Sequence, residues 1–419
     1  MRTWYRNLDY VTALAWIGLV TVGLVAIYST THGEAQKFLL DSVRQNFERQ
    51  LLWAGICAIG MVIALMLPVR FYQKAAYPAY IFSILLLLVA LFFGREVNGA
   101  TSWIYIGPVG FQSSELAKVG TLLAVAQLLS TRHPNSSNVR YGLAAVGLLT
   151  IPAVLIVLQN DTGTALVFVA LVPIMLFWSG LPLNIVLLLV SPAVAGYLTI
   201  VYWPAALAFA VLLTGGLYWR TKDYRITALA AIFSGGMMAT ALFALNKVLR
   251  PHQVARIMSF TNPEAEEFRS GVGFHLVQSK AAVGSGGLFG KGFMEGTQTQ
   301  GRYIPGQSTD FIFSVIGEEW GFIGAILVLI LFALFLIRLV SLGTQVKHPF
   351  GSMMAAGAAG IYLIHVFINV GMVVGLLPVI GIPLPFLSYG GSALLANTAM
   401  LAIALSLHMR RDDFSIYGY

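Results

Sequence analysis

The sequence predicts an all-α polytopic membrane protein, and three observations carry that expectation. Of 419 residues, 58% are hydrophobic and only 10% charged, where a soluble domain carries about 25% charged residues. Mean hydropathy is +0.80. The apolar residues also gather in runs near the roughly 20-residue length that crosses a bilayer as a helix. About twelve spans follow, at 10–29, 51–68, 75–94, 114–130, 141–158, 162–179, 183–202, 204–219, 226–246, 311–339, 354–377 and 389–409. The chain 1–419 thus reads as a single integral membrane domain. The run 204–219 is short and follows Trp203-Pro204.

Charge placement orients these spans. Arg2 and Arg6 precede the first, Arg70 and Lys74 follow the second, and Arg132 and Arg140 follow the fourth. Arg220, Lys222 and Arg225 follow the eighth, Lys347 and His348 the tenth, and Arg410 and Arg411 the twelfth. With the N-terminus inside, all of these clusters fall in the cytoplasm, as the positive-inside rule requires. Both termini are then cytoplasmic, and the long segment 247–310 lies outside. The loop 30–50 is basic on the wrong side (Lys37, Arg44, Arg49) and is partly balanced by Glu34, Asp41 and Glu48. The net charge of +8 is therefore an orienting charge, and no nucleic-acid partner is expected. Cys57 stands alone, which excludes a disulfide framework and a cysteine metal cluster. The first apolar run is long enough to span and lacks a small-residue cleavage site, so no cleavable signal peptide is expected.

Polar residues concentrate on the outer face. Asp310 ends the outer segment and opens a hydrophobic run, in Gln307-Ser308-Thr309-Asp310-Phe311-Ile312-Phe313. A carboxylate at the lip of a membrane helix is costly, and so a functional candidate by default. Upstream lies Gly284-Ser285-Gly286-Gly287-Leu288-Phe289-Gly290-Lys291-Gly292, with Lys280 before it. Consecutive glycine N–H groups can converge on an anion, and a lysine adds a point charge. The segment is no Walker loop, because Ser285 stands where glycine is required and no Ser or Thr follows Lys291. An outer location favours the phosphate of a lipid carrier; a turn-rich loop is the competing reading.

Three further segments contribute. Glu115 and Lys118, three apart on a helix, share a face and can pair, either near a substrate or as a bond between helices. Asp161, in Gln159-Asn160-Asp161-Thr162-Gly163-Thr164, suits a helix N-cap. Asn369-Val370-Gly371-Met372, then Pro378, Gly381, Pro383 and Pro385, lead to Ser388-Tyr389-Gly390-Gly391-Ser392. Irregular backbone of that kind is tolerated in a membrane only where it is buried or lines a cavity. Of Glu318 and Glu319, at least one must face a polar interior. His365 reads as a hydrogen-bonded core residue. No His, Asp or Glu cluster has metal spacing.

These segments, in this order and over nearly the whole chain, resemble the SEDS family (shape, elongation, division and sporulation), and within it the RodA-type branch. Gln278-Ser279-Lys280, the glycine-rich run, Gly296-Thr297-Gln298 and Thr309-Asp310-Phe311 carry the resemblance. Asn369-Val370-Gly371-Met372 with Leu377-Pro378-Val379 and Gly381-Ile382-Pro383-Leu384-Pro385 resembles the elongation branch more than the division branch. The pattern departs at Pro305-Gly306-Gln307-Ser308, where the family usually has Pro-Glu-x-His, and at Ser102, Tyr105, Ser113 and Asn160.

The resemblance implies a ten-helix core, with two extra helices inserted within 183–246 and 247–310 as the extracytoplasmic catalytic loop. It implies a peptidoglycan glycosyltransferase for cell elongation and shape, which polymerises lipid II at the outer face of the inner (cytoplasmic) membrane. A class B penicillin-binding transpeptidase and membrane lipids are the implied partners. Asp310 is then the general base, and Lys118, Lys280 and Lys291 hold the diphosphate. Glu115 positions Lys118, while Gly286, Gly287 and Ser388 complete the substrate site. No metal ligand is assigned; a divalent cation, Mg or Mn, stays open. The rival expectations are a lipid II flippase, since about twelve spans with broken helices also suit a transporter, a division- or sporulation-type polymerase of the same family, and a non-catalytic scaffold for a cell-wall partner.

Overall fold

A computed structural model describes residues 7–39, 41–97, 99–107, 109–131, 139–243, 245, 247, 254, 259–261 and 273–411. Most of residues 248–272 of the expected loop 247–310, together with Arg2, Arg6 and Arg132, therefore lie outside the described residues. Two compact units partition the chain, one of residues 1–175 with 278–419 and one of residues 176–277. The second contains the expected insertion 183–246.

In the first unit the helices are α1 (Tyr10–Thr31), α2 (Asn46–Met66), α3 (Val69–Phe93), α4 (Ser113–Thr131), α5 (Val139–Leu158) and α6 (Thr162–Trp178). The second unit is built on α7 (Leu183–Thr221) and α8 (Tyr224–Phe243), packed against each other. The chain returns through α9 (Phe274–Ser285), α10 (Ile312–Glu319), α11 (Gly321–Gln345), α12 (Pro349–Val373) and α13 (Gly391–Met409). Among the described residues, nine helices are long and apolar enough to cross a membrane, and α6 is a shorter apolar helix. The protein is a multi-pass membrane protein.

Each expected span coincides with a helix, with two differences. The spans 183–202 and 204–219 join as α7, kinked at Tyr202 (φ −160°, ψ 95°). Pro204 explains the kink, because its ring has no N–H and crowds the preceding turn. The span 311–339 is not continuous. It breaks between α10 and α11, where Gly321 takes φ +68°. The N–H groups of Phe322 and Ile323 bond to the carbonyls of Gly287 and Leu288, at 2.9 and 3.1 Å. The glycine-rich segment thereby caps the start of α11 in place of a continuing helix.

An all-α expectation also missed a small three-stranded antiparallel sheet, β1 (Arg95–Val97), β2 (Ala100–Ile106) and β3 (Val109–Gln112). Gly99 and Gly107, at φ +86° and +62°, mark its turns. Thr101 N–H bonds to the Gln159 carbonyl at 2.9 Å, which ties the sheet to the turn between α5 and α6.

The centre of the first unit is α12 and α13, both buried over most of their length. Their small residues permit this. A Cβ on Gly357 would come within 2.1 Å of Leu122 on α4, and one on Gly360 within 3.0 Å of Ile174 on α6. Close backbone approach of this kind drives helix association where lipid removes the hydrophobic effect between helices.

Candidate active site

Asp310 ends a tight turn that is braced from four sides. Within the turn, Thr309 and Phe311 both donate backbone N–H to the Gly306 carbonyl, at 2.9 and 3.2 Å, with Gly306 at φ +67°. From outside, Ser388 Oγ donates to the Thr309 carbonyl at 2.6 Å. Tyr389 N–H donates to Ser308 at 2.8 Å. Gln307 Nε2 reaches Thr30 on α1 at 3.5 Å, and Asn46 Nδ2 on α2 reaches Ser308 Oγ at 3.4 Å. Asn369 on α12 donates to two carbonyls, Asp310 at 2.8 Å and Ile382 at 2.7 Å. The irregular segment after α12 is therefore clamped to the Asp310 backbone. Ser388, expected to touch substrate, spends its hydroxyl on the Thr309 carbonyl and the Leu384 N–H.

The Asp310 side chain is left open. It is half-buried, and no donor among the described residues bonds to its carboxylate. Its Oδ2 would lie 3.3 Å from a Cβ on Gly381, itself at φ +78°, so glycine makes room there. Burial and, after it, the Asp161 carboxylate push the Asp310 carboxyl up to about 6.

Asp161 caps α6 as the sequence suggests, its Oδ1 accepting from Thr164 N–H at 3.1 Å. Its Oδ2 accepts from Gln112 Nε2 at 2.8 Å and from Ser114 Oγ at 3.5 Å. The end of β3 and the start of α4 thus hold it in place. The facing of Asp161 and Asp310 was not anticipated from sequence.

The lysines do not form one cluster. Lys118 is only 1% exposed and lies 2.8 Å from Glu115 and 3.0 Å from His365 Nε2. An ammonium only donates, so His365 Nε2 accepts and its Nδ1–H donates to the Pro383 carbonyl at 3.0 Å. His365 is a hydrogen-bonded core residue, and the expected reach of Lys118 to a diphosphate meets a buried ammonium already bonded twice. Lys291 is partly exposed and donates to Glu318 at 2.9 Å and Thr297 Oγ1 at 2.6 Å. Lys280, on α9, is exposed. Its neighbour Ser279 pins that helix to α12 through the Val373 carbonyl, at 2.9 Å.

Gly286 differs from the expected anion cradle, while Gly287, at φ +57° with open space beside it, accepts from Phe322 N–H through its carbonyl. The N–H groups of Gly286, Gly290, Lys291 and Gly292 end on the carbonyls of Val283, Gly286, Glu318 and Glu319. A Cβ on Gly286 would sit 2.0 Å from the Gly317 carbonyl oxygen, and one on Gly290 2.1 Å from that of Glu319. These glycines let the loop backbone lie against the end of α10. Glu318 and Glu319 are both buried. Glu318 accepts from Lys291, from the N–H groups of Gln298 and Thr299, and from the hydroxyls of Thr297 and Thr299. Glu319 is bonded by Ser29 of α1.

Among the described residues, no three His, Cys, Asp or Glu side chains converge on a metal-sized site. Asp310 and Asp161 offer two carboxylates, and a Mg²⁺ ion there would complete its shell with water and phosphate oxygens.

Known proteins share this architecture. The model of the FtsW, RodA and SpoVE family, described as "Cell cycle protein", matches residues 10–227 and 198–413. Peptidoglycan glycosyltransferase RodA of Treponema pallidum is 34% identical over 95% of this chain and 96% of its own length. Peptidoglycan glycosyltransferase MrdB of Escherichia coli K12 is 35% identical over 88% of this chain and 87% of its own. A solved chain from a peptidoglycan synthase complex that coordinates polymerization and crosslinking superposes with a TM-score of 0.71 at 29% identity, covering 96% of this chain and 98% of that one. The rod shape determining protein RodA of Thermus thermophilus gives 0.62 at 29% identity, over 96% and 97%. The chain belongs to the FtsW, RodA and SpoVE family, the SEDS proteins.

Proposed function

We propose that the chain is a peptidoglycan glycosyltransferase of the elongation type, joining lipid II units into glycan strands at the outer face of the cytoplasmic membrane, with Asp310 as general base. The relatives named RodA and MrdB support the activity and the branch. One observation carries the chemistry. Asp310 has a carboxylate to which no donor among the described residues bonds, on a tightly held backbone, with a proton affinity raised to about 6.

In the reaction the acceptor GlcNAc 4-hydroxyl attacks the anomeric carbon of the donor MurNAc as Asp310 takes its proton. The new C–O bond forms opposite the breaking bond to phosphate, the undecaprenyl diphosphate departs, and α becomes β. Lys291 and Lys280, whose ammonium groups are at least partly exposed, answer the charge on the departing diphosphate. Glu318 orients Lys291. Lys118, Glu115 and His365 act behind the site, holding Pro383 and hence the segment over Asp310. A class B penicillin-binding transpeptidase is the proposed partner, supported by the likeness to a synthase complex that couples polymerization to crosslinking. Both termini lie in the cytoplasm in this reading.

The test is glycan synthesis from lipid II by the purified chain with its transpeptidase partner, with and without EDTA. Glycan formed equally well by wild type and Asp310→Asn would end the assignment of the base. Lipid II movement across vesicles without glycan would favour a flippase.

A further inference from the structure

We propose that this protein holds an anionic phospholipid on the membrane face opposite Asp310, its phosphate bound by Arg338 and Arg411. The site is a cavity of about 340 Å³ whose walls include Asp9, Tyr10, Arg338, Gln345 and Arg411. It forms where the first residues of α1, the last turns of α11 and the end of α13 come together. Asn7 ties the start of the chain to α13 there, donating from Nδ2 to the Met409 carbonyl at 3.3 Å. At the other end of α1, Thr30 is the residue that Gln307 of the Asp310 turn reaches. The cavity and the acid are therefore separated by nearly the whole length of that helix.

Charge in the lining is unbalanced. Arg338 pairs with the buried Asp9 carboxylate, and its own Nε, also buried, has no acceptor among the described residues. Arg411 is half-buried, donates through Nη1 to His408 Nε2, and meets no carboxylate among the described residues. Two guanidiniums against one carboxylate leave one net positive charge. A guanidinium presents a planar fork of donors that matches a phosphate, and basic pockets between spans at the membrane surface suit lipid headgroups. Deeper in, the walls turn apolar. Leu14 lies one turn below Tyr10 on the same face of α1, and Leu334 one turn below Arg338 on the same face of α11. Both are exposed, Leu14 by 65% and Leu334 by 44%. A free phosphate would use only the charged end; a phospholipid uses that end and the apolar walls together.

The experiment is thermal melting of the purified full chain in neutral detergent micelles. It is titrated with phosphatidylglycerol, with phosphatidylcholine of the same acyl chains, or with glycerol phosphate. Phosphatidylglycerol should raise the melting temperature at far lower concentration than the other two. Arg411→Gln should need about tenfold more of it for the same shift. Gln345→Glu, which sets a carboxylate in the lining, should also weaken the response, and it carries the test if Arg411→Gln does not fold. Lys74→Gln removes an exposed cation of α3 that does not line the cavity, and should respond as wild type does. An equal loss in Lys74→Gln and Arg411→Gln would mean that overall charge governs the response, which overturns the site. An equal response to glycerol phosphate would overturn the lipid in favour of a soluble anion. Asp412 and Asp413 follow Arg411 in the sequence. A response to phosphatidylglycerol that appears only with Asp412→Asn and Asp413→Asn together would hand the cavity to the end of the chain and refute the proposal.

Discussion

Two carboxylates stand at opposite ends of α10 in very different company. Glu318 is buried and surrounded by donors, from two threonine hydroxyls, two backbone N–H groups and a lysine. Asp310 sits half-buried with its backbone clamped by Asn369, no donor among the described residues on its carboxylate, and the charge of Asp161 near enough to act on it. Every donor around Glu318 stabilises its charged form, and that charge in turn organises residues 291–300. Around Asp310 the surroundings disfavour charge, which suits a group that must take up a proton. Glu318 is held by five donors, whereas no donor among the described residues bonds to the Asp310 carboxylate.

Four substitutions would break or sharpen that contrast. Asp310→Asn has the largest expected effect, a loss of about 10²–10⁴ in glycan synthesis. It should also stabilise the fold. A carboxyl raised from 3.8 to about 6 on folding costs nothing below its unfolded value, and its penalty grows as pH rises through that window. The Asn variant should therefore gain up to about 3 kcal/mol at neutral pH and almost nothing near pH 3, read from denaturation in detergent. A less stable variant at neutral pH would mean that Asp310 is a bonded, structural acid like Glu318.

Lys118→Met comes next. It strands the buried Glu115 carboxylate and should cost about 3–5 kcal/mol, partly recovered by adding Glu115→Leu. A fully folded but inactive Lys118→Met would put that lysine at the diphosphate after all. Lys291→Ala should be milder, with the fold intact because four other donors remain on Glu318. It should lower kcat/KM about tenfold, equivalent to about 1.4 kcal/mol of transition-state stabilisation. Unchanged kinetics would make Lys291 part of the scaffold alone. Smallest is Gly287→Ala, at φ +57° with open space around the new methyl. It should cost about 1 kcal/mol of stability and leave the rate unaltered; a large kinetic loss would return this glycine to the substrate site.

Much of this was legible in the sequence, for identifiable reasons. The spans are readable because lipid imposes long apolar runs, and Asp310 because a carboxylate at a membrane lip is costly enough to stand out. The break at Gly321 was hidden. The run 311–339 is apolar on both sides of it, and the carbonyls that cap α11 come from Gly287 and Leu288, outside the helix. The burial of Lys118 depends on His365, far away along the chain. Its i, i+3 spacing from Glu115 indicated a pair but not a sealed one. Asp161 could be recognised as a cap from Asp161-Thr162-Gly163, whereas its meeting with Asp310 depends on segment 380–382 folding between them. The sheet did leave a signal, Asn98-Gly99, outweighed by the helical character of everything around it.

The double clamp made by Asn369 has a mechanical consequence. One amide holds both the Asp310 carbonyl and that of Ile382 in the irregular segment after α12, so the two stretches of backbone are fastened by a single pin. Any lifting of that segment must loosen the Asp310 backbone as well. If Asp310 is the proposed base, movement of the segment and proton transfer become successive states of one joint.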